Sequence, residues 1–369
     1  MTKKRALSGT YRCVMSTTHM DRHGDRMSIG ALRSGAKLIN SPRKPKLTIN
    51  HDQTLPPSGV VTGAWVEKRS DGYHQLVATQ RFYNKQKLVK LPDGSPGLLE
   101  YFDDIKFVFS EIDYKVIDGY ELGINIHCFE SPRDAEDFVA DVRQDALIKF
   151  EVGHYFRKSF LNDPELIFTL GSKVVHAFLD NPGKSSVGVA AVTLAKKVLD
   201  KVGDKVGDKI ADDFAGVYTW MRDSIIKGAK WMHPKNRRTT YILRIPGAIN
   251  MELIIRTNDA TEALLAVTPD KFAQGRTIIN AMANIYNPAK ISLLYNVETK
   301  LWEFNFMLSW NGQTLSSLKA IAARNNAYVD LGKFMDAKAA EALKIQEGSM
   351  PTEVTISEDI SINSAPLPS

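Results

Sequence analysis

The stretch Leu47-Thr-Ile-Asn-His-Asp-Gln-Thr-Leu-Pro-Pro-Ser-Gly-Val-Val61 organises the first half of the chain. An apolar strand pattern through Ile49 ends at His51 and Asp52, and two prolines and Gly59 then turn the chain into a second apolar run. A histidine at a strand end beside a turn can reach a cleft while the strand holds its backbone in place. His51 is therefore the first candidate for a general base.

Length and composition indicate more than one folded unit. The chain has 369 residues, of which 43% are hydrophobic and 24% charged, which is enough to bury a core and more than one average domain needs. No membrane-spanning apolar stretch or apolar signal core is present, so a cytoplasmic location without membrane contact is expected. The two cysteines, Cys13 and Cys128, are too few for a disulfide framework.

The positive charge permits an acidic partner without pointing to nucleic acid. The net charge is +6, but it is spread among 42 acidic residues. Residues 42–46 and 235–238 are the compact basic clusters, and neither is interleaved with aromatic residues as a base-stacking surface would be. Solvated loops explain these clusters better than nucleic-acid contact. A protein partner is therefore expected.

Two motifs that resemble ligand sites are better explained as connections. Asp21, His23 and Asp25 lack a further ligand at helical or hairpin spacing, so a polar loop is favoured over a metal site. Residues 181–188 contain Gly-Lys-Ser, but Phe178 stands where a phosphate-binding loop needs its first glycine. No metal or cofactor is expected.

The first 130 residues have mainly strand patterns, which are typical of a small barrel or sandwich. Alternating apolar residues predict strands over residues 5–14, 47–51, 59–67, 73–82, 105–117 and 120–129. The segments 59–67 and 73–82 form a predicted hairpin. Helical spacing predicts short helices over residues 28–39 and 84–90.

Beyond Pro132 the apolar period becomes helical, and strands return after Thr239. Helices are predicted over residues 138–150, 166–179, 198–214, 259–267, 271–285, 316–325 and 333–343, and strands over 241–245, 251–256, 291–295 and 301–310. The prediction is an α+β protein. Its parts are a β-rich domain (1–145), a helical connector (146–235), an α+β domain of unknown role (236–345) and a flexible tail (346–369).

A serine in the β-rich domain completes a possible catalytic pair. Nucleophilic acyl transfer needs a nucleophile, a base that takes its proton and a group that fixes the base. Ser110 lies in the predicted strand 105–117, and strands distant in sequence are often neighbours in a small β domain. Spacing alone does not establish a contact with His51. Asp52 is expected to cap a turn rather than orient His51, since adjacent strand residues point to opposite faces.

Residues 12 to 138 resemble the prohead (capsid-maturation) proteases of tailed phages, whose fold is related to herpesvirus assemblin. Five pieces occur in the family's order: residues 20–25 with Gly30-Ala31, Asn50-His51-Asp52 with the Gly59-Val60 strand, the strand 76–82, the Ser110 strand, and the closing strand with residues 131–135. The resemblance implies a β-rich, assemblin-like fold. It also implies that Ser110 is the nucleophile and His51 the general base.

The chain departs from the family's pattern on both sides of this pair. The family usually follows its serine with a small residue, glycine and an aromatic, whereas Glu111 follows Ser110, and a negative charge there would oppose an oxyanion unless it points away. The glutamate that commonly starts the closing strand is replaced by Gly123. Either His127, giving the Ser-His-His arrangement of the assemblin relatives, or Glu121 could serve as the third member.

The resemblance implies a serine endopeptidase that cleaves scaffold and capsid proteins, and itself, during virion maturation. It would act as a homo-oligomer in a bacterial or infected cell, or inside the assembling virion, with the tail as a cleavage region. The second half of the chain lies outside the resemblance, which leaves two alternatives. One is a protease effector of bacterial antiviral defence that its C-terminal domain regulates. The other is a capsid-associated or scaffolding protein that has lost its chemistry.

Overall fold

The computed structural model describes residues 9–19, 26–111, 119–155, 163–171, 208–232 and 238–348. These residues form an α+β fold, as predicted, with six helices within those ranges. The helices are α1 (Ile29–Asn40), α2 (Pro132–Asp145), α3 (Asp208–Trp231), α4 (Ala260–Ala266), α5 (Pro269–Ile285) and α6 (Leu318–Gly348). Contacts divide the chain into one unit up to Asn325 and a second unit from Asn326, which contains the rest of α6.

The described strands form three sheets. In chain order the strands are β1 (Gly9–Thr17), β2 (Arg43–Lys44), β3 (Lys46–Leu47), β4 (Gly59–Lys68), β5 (His74–Phe82), β6 (Lys85–Lys90), β7 (Pro96–Tyr101), β8 (Val108–Phe109), β9 (Tyr120–Asn125), β10 (Phe150–Tyr155), β11 (Glu165–Leu170), β12 (Thr239–Ile245), β13 (Asn250–Thr257), β14 (Pro288–Asn296), β15 (Leu301–Ser309) and β16 (Thr314–Ser317). The sheet orders are β1-β5-β4-β3, β10-β9-β11-β12-β13-β14-β15-β16-β7-β6, and β2-β8.

The four-stranded sheet is antiparallel and carries α1 on one face. The predicted hairpin is confirmed, because β4 pairs with β5 from Gly59 opposite Phe82 to Lys68 opposite His74. Ser28 begins α1 by accepting a hydrogen bond from the N–H of Ala31. The apolar stripe of α1 then packs on the sheet through Leu32, Ala36 and Ile39.

One face of the ten-stranded sheet is apolar and lies against helices. Its register places five buried side chains next to one another: Leu122, Phe168, Leu243, Leu253 and Leu293. Trp220 of α3 is fully buried and packs its ring edge to face against Phe168, with ring centroids 5.4 Å apart. Burying each large apolar side chain contributes about 1.5–3 kcal/mol, so this layer is a major source of stability.

The opposite face of the same sheet, called the polar face below, carries charged side chains beside buried apolar ones such as Phe306, since neighbouring residues along a strand point to opposite sides. Glu252 and Arg256 of β13 lie on this face, one position away from the apolar Leu253 and Ile255. The segment 52–57 crosses the face, and Asn305 Nδ2 of β15 donates to its Thr54 carbonyl at 2.8 Å. The stretch 47–61 is thus attached to strands from the second half of the chain.

The first turns of α6 are fixed to this region by a buried ion pair. Arg324 donates to both carboxylate oxygens of Glu100 on β7, at 2.8 and 2.9 Å, and to the Pro57 carbonyl at 2.8 Å. The Arg324 and Glu100 side chains are 7% and 2% exposed. A bidentate contact of this kind sets the direction in which the helix begins.

Two predicted helices are strands. Residues 84–90, predicted as helical, form the edge strand β6, because Leu88 pairs with Leu98 in the β7 ladder and strand pairing outweighs the helix propensity of lysine and glutamine. The helical prediction that starts near Leu166 is wrong as far as Leu170, since these residues form β11 between β9 and β12. A short, continuous apolar run does not distinguish a buried strand from a helix.

Three element boundaries also differ from prediction. The strand predicted over residues 105–117 is limited to β8 in the described part, because Ser110 and Glu111 form a turn, and residues 112–118 lie outside the described residues. Phe150, the last position of a predicted helix, begins β10. The helices predicted over 316–325 and 333–343 are one continuous helix, α6.

The ten-stranded sheet spans the predicted domain boundaries. Residues 145 and 235 both lie between strands of this sheet, and β6 and β7 from the first domain join it. Of the predicted tail, residues 346–348 end α6, and 349–369 lie outside the described residues, as do Asp21, His23, Asp25 and residues 181–188. Among the helices of the described ranges, none combines the length and apolarity that a membrane crossing requires.

Candidate active site

His51 does not stand at a strand end as predicted. The strand β3 ends at Leu47, and Ile49–His51 form a short 3-10 helix in which Asn50 and His51 have φ angles of 47° and 59°. Few residues other than glycine adopt this left-handed region, and those that do cluster at functional sites, where the surrounding structure holds them. The side chain of His51 is exposed, so it is accessible to a substrate.

Asp52 caps a turn, as predicted. Its Oδ1 accepts hydrogen bonds from the Thr54 amide at 2.9 Å and the Thr54 hydroxyl at 2.5 Å, and its Oδ2 accepts from Arg256 Nη2 at 2.6 Å. Burial raises the pKa of Asp52, but the Arg256 guanidinium and Thr54 outweigh burial and lower it. The resulting carboxylate fixes the backbone beside His51 to the end of β13.

Ser110 lies in the turn that follows β8. The parallel pairing of β8 with β2 continues into this turn, where the Ser110 amide donates to the Lys44 carbonyl at 3.0 Å. From Lys44 to His51 the chain runs seven residues, which reach at most about 25 Å when fully extended. The predicted nucleophile therefore contacts one end of the segment 44–51, and the predicted base lies at the other end.

Glu111 is held in an ion pair directly after the predicted nucleophile. Its Oε2 lies 2.5 Å from Lys46 Nζ, and the two side chains are 27% and 1% exposed. Burial raises the pKa of Glu111, but Lys46 and Lys290 outweigh burial and lower it. Burial lowers the pKa of Lys46, and Glu111 opposes that effect. The carboxylate that would repel an oxyanion is thus neutralised by a buried ammonium.

A second buried ion pair lies on the polar face of the large sheet. Lys290 Nζ is 2.6 Å from Glu252 Oε2, with side-chain exposures of 0% and 1%, and Arg244 Nε donates to Glu252 Oε1 at 3.2 Å. Burial raises the pKa of Glu252, but Lys290 and Arg244 outweigh burial and lower it strongly. Lys290 and Glu252 also shift the pKa of Lys46, so the two pairs form one electrostatic unit.

Sequence reasoning missed this charged cluster, although a signal was present. Glu252 is the charged residue inside the run Asn250-Met-Glu-Leu-Ile-Ile, and Lys290 immediately precedes Ile-Ser-Leu-Leu. Charged residues are almost never fully buried unless they are paired. A charge inside a predicted buried strand therefore indicates an oppositely charged neighbour on another element.

His127 follows β9, which belongs to the same ten-stranded sheet as β13, the strand that contains Arg256. His127 is exposed within the 3-10 helix that follows β9. Ile124 of β9 is in register, through β11 and β12, with Ile255 of β13. The end of β9 is thus three strand spacings, about 14 Å, from the strand that anchors Asp52.

Glu121 lies near the start of β9, and its side chain is directed toward the neighbouring strand β10. It pairs with Thr169 of β11 on one side and with Glu151 of β10 on the other. A Cβ atom built on Gly153 of β10 would lie 2.5 Å from Glu121 Oε1. The carboxyl group therefore covers Gly153, on the side away from β13 and Asp52.

The described residues contain no group of three or more His, Cys, Asp or Glu side chains arranged to hold a metal ion. The structure places a half-buried serine at the Lys44 end of the segment 44–51, an exposed histidine at its other end and the buried ammonium of Lys46 between them. A hydroxyl, an imidazole and a fixed positive charge are the groups used in acyl transfer. Comparisons with protein-family models, curated proteins and solved structures find no match to this chain.

Proposed function

We propose that the chain is a serine endopeptidase of the prohead-protease type with an assemblin-like catalytic region. The observation that carries this proposal is the placement of Ser110 beside Lys44 and of His51 on the same segment, in a left-handed backbone held by the Asp52–Arg256 pair. The substrates would be scaffold and capsid proteins, including other copies of this chain, and the enzyme would act as a homo-oligomer.

In the proposed mechanism His51 takes the hydroxyl proton of Ser110 while the serine oxygen attacks a peptide carbonyl carbon. His51 then gives the proton to the leaving amine as the C–N bond breaks, and an acyl-enzyme remains. A water molecule, deprotonated by His51, hydrolyses that ester and restores Ser110. His127 is the proposed third member of the site, in preference to Glu121, whose carboxyl group lies over Gly153.

Lys46 has a supporting role in this mechanism. The carbonyl oxygen becomes negative during the attack, and a carboxylate beside Ser110 would raise the energy of that state. The ammonium group of Lys46, 2.5 Å from the Glu111 carboxylate, offsets the negative charge of that carboxylate. This pair removes the net negative charge that Glu111 would otherwise place beside Ser110.

A fluorophosphonate probe tests the proposal by reacting with activated serines. We expect intact-mass analysis to show one adduct on the wild-type protein, none on Ser110→Ala, and one on Ser41→Ala, which changes another half-buried serine near the same segment. His51→Gln should slow labelling by about 100-fold or more, because the base is lost. His154→Gln, at another exposed histidine, should label at the wild-type rate.

Incubation with candidate scaffold and capsid proteins then tests the substrate class. Fragments produced by the wild-type protein and absent with Ser110→Ala would support the endopeptidase. Equal labelling of the wild type and Ser110→Ala would remove Ser110 from the mechanism. If the wild type is not labelled, and the wild type and Ser110→Ala bind a capsid protein equally well, the scaffolding alternative would be supported.

A further inference from the structure

A cavity of about 670 Å³ lies between the β6–β7 turn, α5, β15 and the start of α6. This volume falls within the range of roughly 300–1,000 Å³ that is usual for small-molecule sites. The walls are mainly apolar and include Leu91, Ile278, Met282, Trp302 and Phe304. None of the lining residues belongs to the segments 44–58 or 108–111, so the cavity is separate from the proposed active site.

One wall of the cavity contains a buried donor without a partner. Trp302 is 2% exposed, and its indole Nε1 has no hydrogen-bond partner among the described residues. The position of the residue is fixed, because its amide and carbonyl both bond the Gln274 side chain, at 2.8 and 2.9 Å. Buried indole N–H groups usually have an acceptor. This nitrogen is also shielded from solvent, so a ligand in the cavity meets the apolar ring surface of Trp302 rather than its N–H.

The charges at the cavity favour a cation. Glu303 is neutralised by Lys319, at 2.7 Å, and also accepts a hydrogen bond from Asn296 at 2.5 Å. Asp93 makes no ion pair within the described ranges, and its Oδ1 accepts from the Ser95 amide and hydroxyl at 2.9 and 2.6 Å. Its negative charge is therefore left uncompensated beside an apolar wall, which complements an ammonium group.

We propose that this cavity binds a small amphipathic amine. The apolar body of the ligand lies between α5 and Phe304, and the ammonium group pairs with Asp93. The lining of this site contains neither Ser110 nor His51, so a test of ligand binding here is independent of the test of the peptidase proposal.

Two fluorescent probes with aromatic bodies and opposite charges test the proposal. Dansylcadaverine carries an ammonium group, and anilinonaphthalene sulfonate carries a sulfonate. We expect dansylcadaverine to bind the wild-type protein with increased emission, and Ala281→Phe to weaken that binding by about tenfold or more, because the ring fills the cavity. Ala273→Phe makes the same change at an exposed position of α5 outside the lining and should bind as the wild type does.

The charge is tested by Asp93→Asn, at an exposed position where the fold should not be disturbed. This variant should bind dansylcadaverine about fivefold more weakly, as expected for an exposed ion pair, without weaker binding of the sulfonate probe. Dansylcadaverine affinities that are equal in the wild type, Ala281→Phe and Asp93→Asn would overturn the proposal. Tighter binding of the sulfonate than of the ammonium probe at this cavity would overturn the assigned charge.

Discussion

Lys46 places a positive charge where water scarcely reaches it, and its side chain is only 1% exposed. Transfer of an ammonium group from water into a protein interior is costly, so the charge persists because Glu111 lies within contact distance. The same contact holds the turn that carries Ser110 against β3. Removal of one member of such a pair is more damaging than replacement of both.

Replacement of Glu111 by glutamine is expected to lower the free energy of unfolding by about 2 kcal/mol, because Lys46 keeps its burial and loses its counter-charge. The partial exposure of Glu111 keeps this loss below that of a fully buried pair. Urea denaturation at pH 7 measures it. The double variant Lys46→Met/Glu111→Leu should recover most of the loss, and Lys85→Met, from an exposed pair, should change little. A double variant no more stable than Glu111→Gln would contradict this account.

Single residues were predictable where local chemistry decides their role. The turn-capping role of Asp52 follows from an aspartate two residues before Thr54, and the hydrogen bond confirms it. The left-handed backbone of His51 was not predictable, because it is imposed by the anchoring of the following residues to Arg256, 204 positions away. The ion pair of Glu111 likewise depends on which strands become neighbours.

The β4–β5 hairpin shows how closely two strand backbones can approach at the element scale. A Cβ atom built on Gly59 would lie 1.9 Å from the Arg81 carbonyl oxygen and 2.9 Å from the Cα of Phe82. Both obstacles are backbone atoms, so neither can move aside as a flexible side chain would. Glycine at this position therefore decides whether the stretch after the two prolines can join the sheet.

Gly59→Ala is expected to destabilise the protein by about 3 kcal/mol or more, because the ladder must open to accept the methyl group. Thermal unfolding followed by circular dichroism measures the change. Gly119→Ala is the matched control, since a Cβ atom there meets nothing within 4 Å, and it should be neutral or slightly stabilising. Equal melting temperatures for the two variants would show that the close approach has no energetic consequence.

Elements were predictable where their period is unambiguous. Strict alternation around the turn after Lys68 identified β4 and β5, and four-residue spacing identified most of α2. The errors at β6 and β11 have a common cause, since both segments are strands because of their neighbours. Lys85–Lys90 pairs with β7, and Glu165–Leu170 is enclosed between β9 and β12. No local period contains that information.

At the scale of the whole molecule, one sheet unites strands from residue 85 to residue 317. Its polar face collects the carboxylates of Asp52, Glu111 and Glu252 beside cationic groups. Sequence patterns predicted separate units because each stretch has its own composition. Strand order joins them, and strand order follows from long-range contacts that a single sequence does not reveal.

This arrangement predicts how stability depends on pH. Asp52, Glu111 and Glu252 all have folded-state pKa values below the ordinary 3.8 and 4.5, so the unfolded chain takes up protons first as pH falls. Their stabilisation is complete above about pH 5 and is lost progressively at lower pH. The free energy of unfolding should therefore fall by about 2 kcal/mol or more between pH 5 and pH 3, which urea titrations at each pH measure.

Glu252→Gln shows whether the buried pairs cause this dependence. At pH 7 the variant should be less stable than the wild type, because Lys290 stays buried without a counter-charge. The difference should narrow toward pH 3, because Glu252 of the unfolded wild-type chain takes up a proton there and the variant has no such group. The pKa of Lys46 is lowered in the folded state, so its protonation changes the free energy of unfolding only as pH rises toward 10.5. The dependence between pH 3 and pH 5 therefore comes from carboxylates. Parallel curves for the two proteins would mean that Glu252 binds protons alike in the folded and unfolded chain, and the acid sensitivity would then have to arise from other groups such as Asp52 and Glu111.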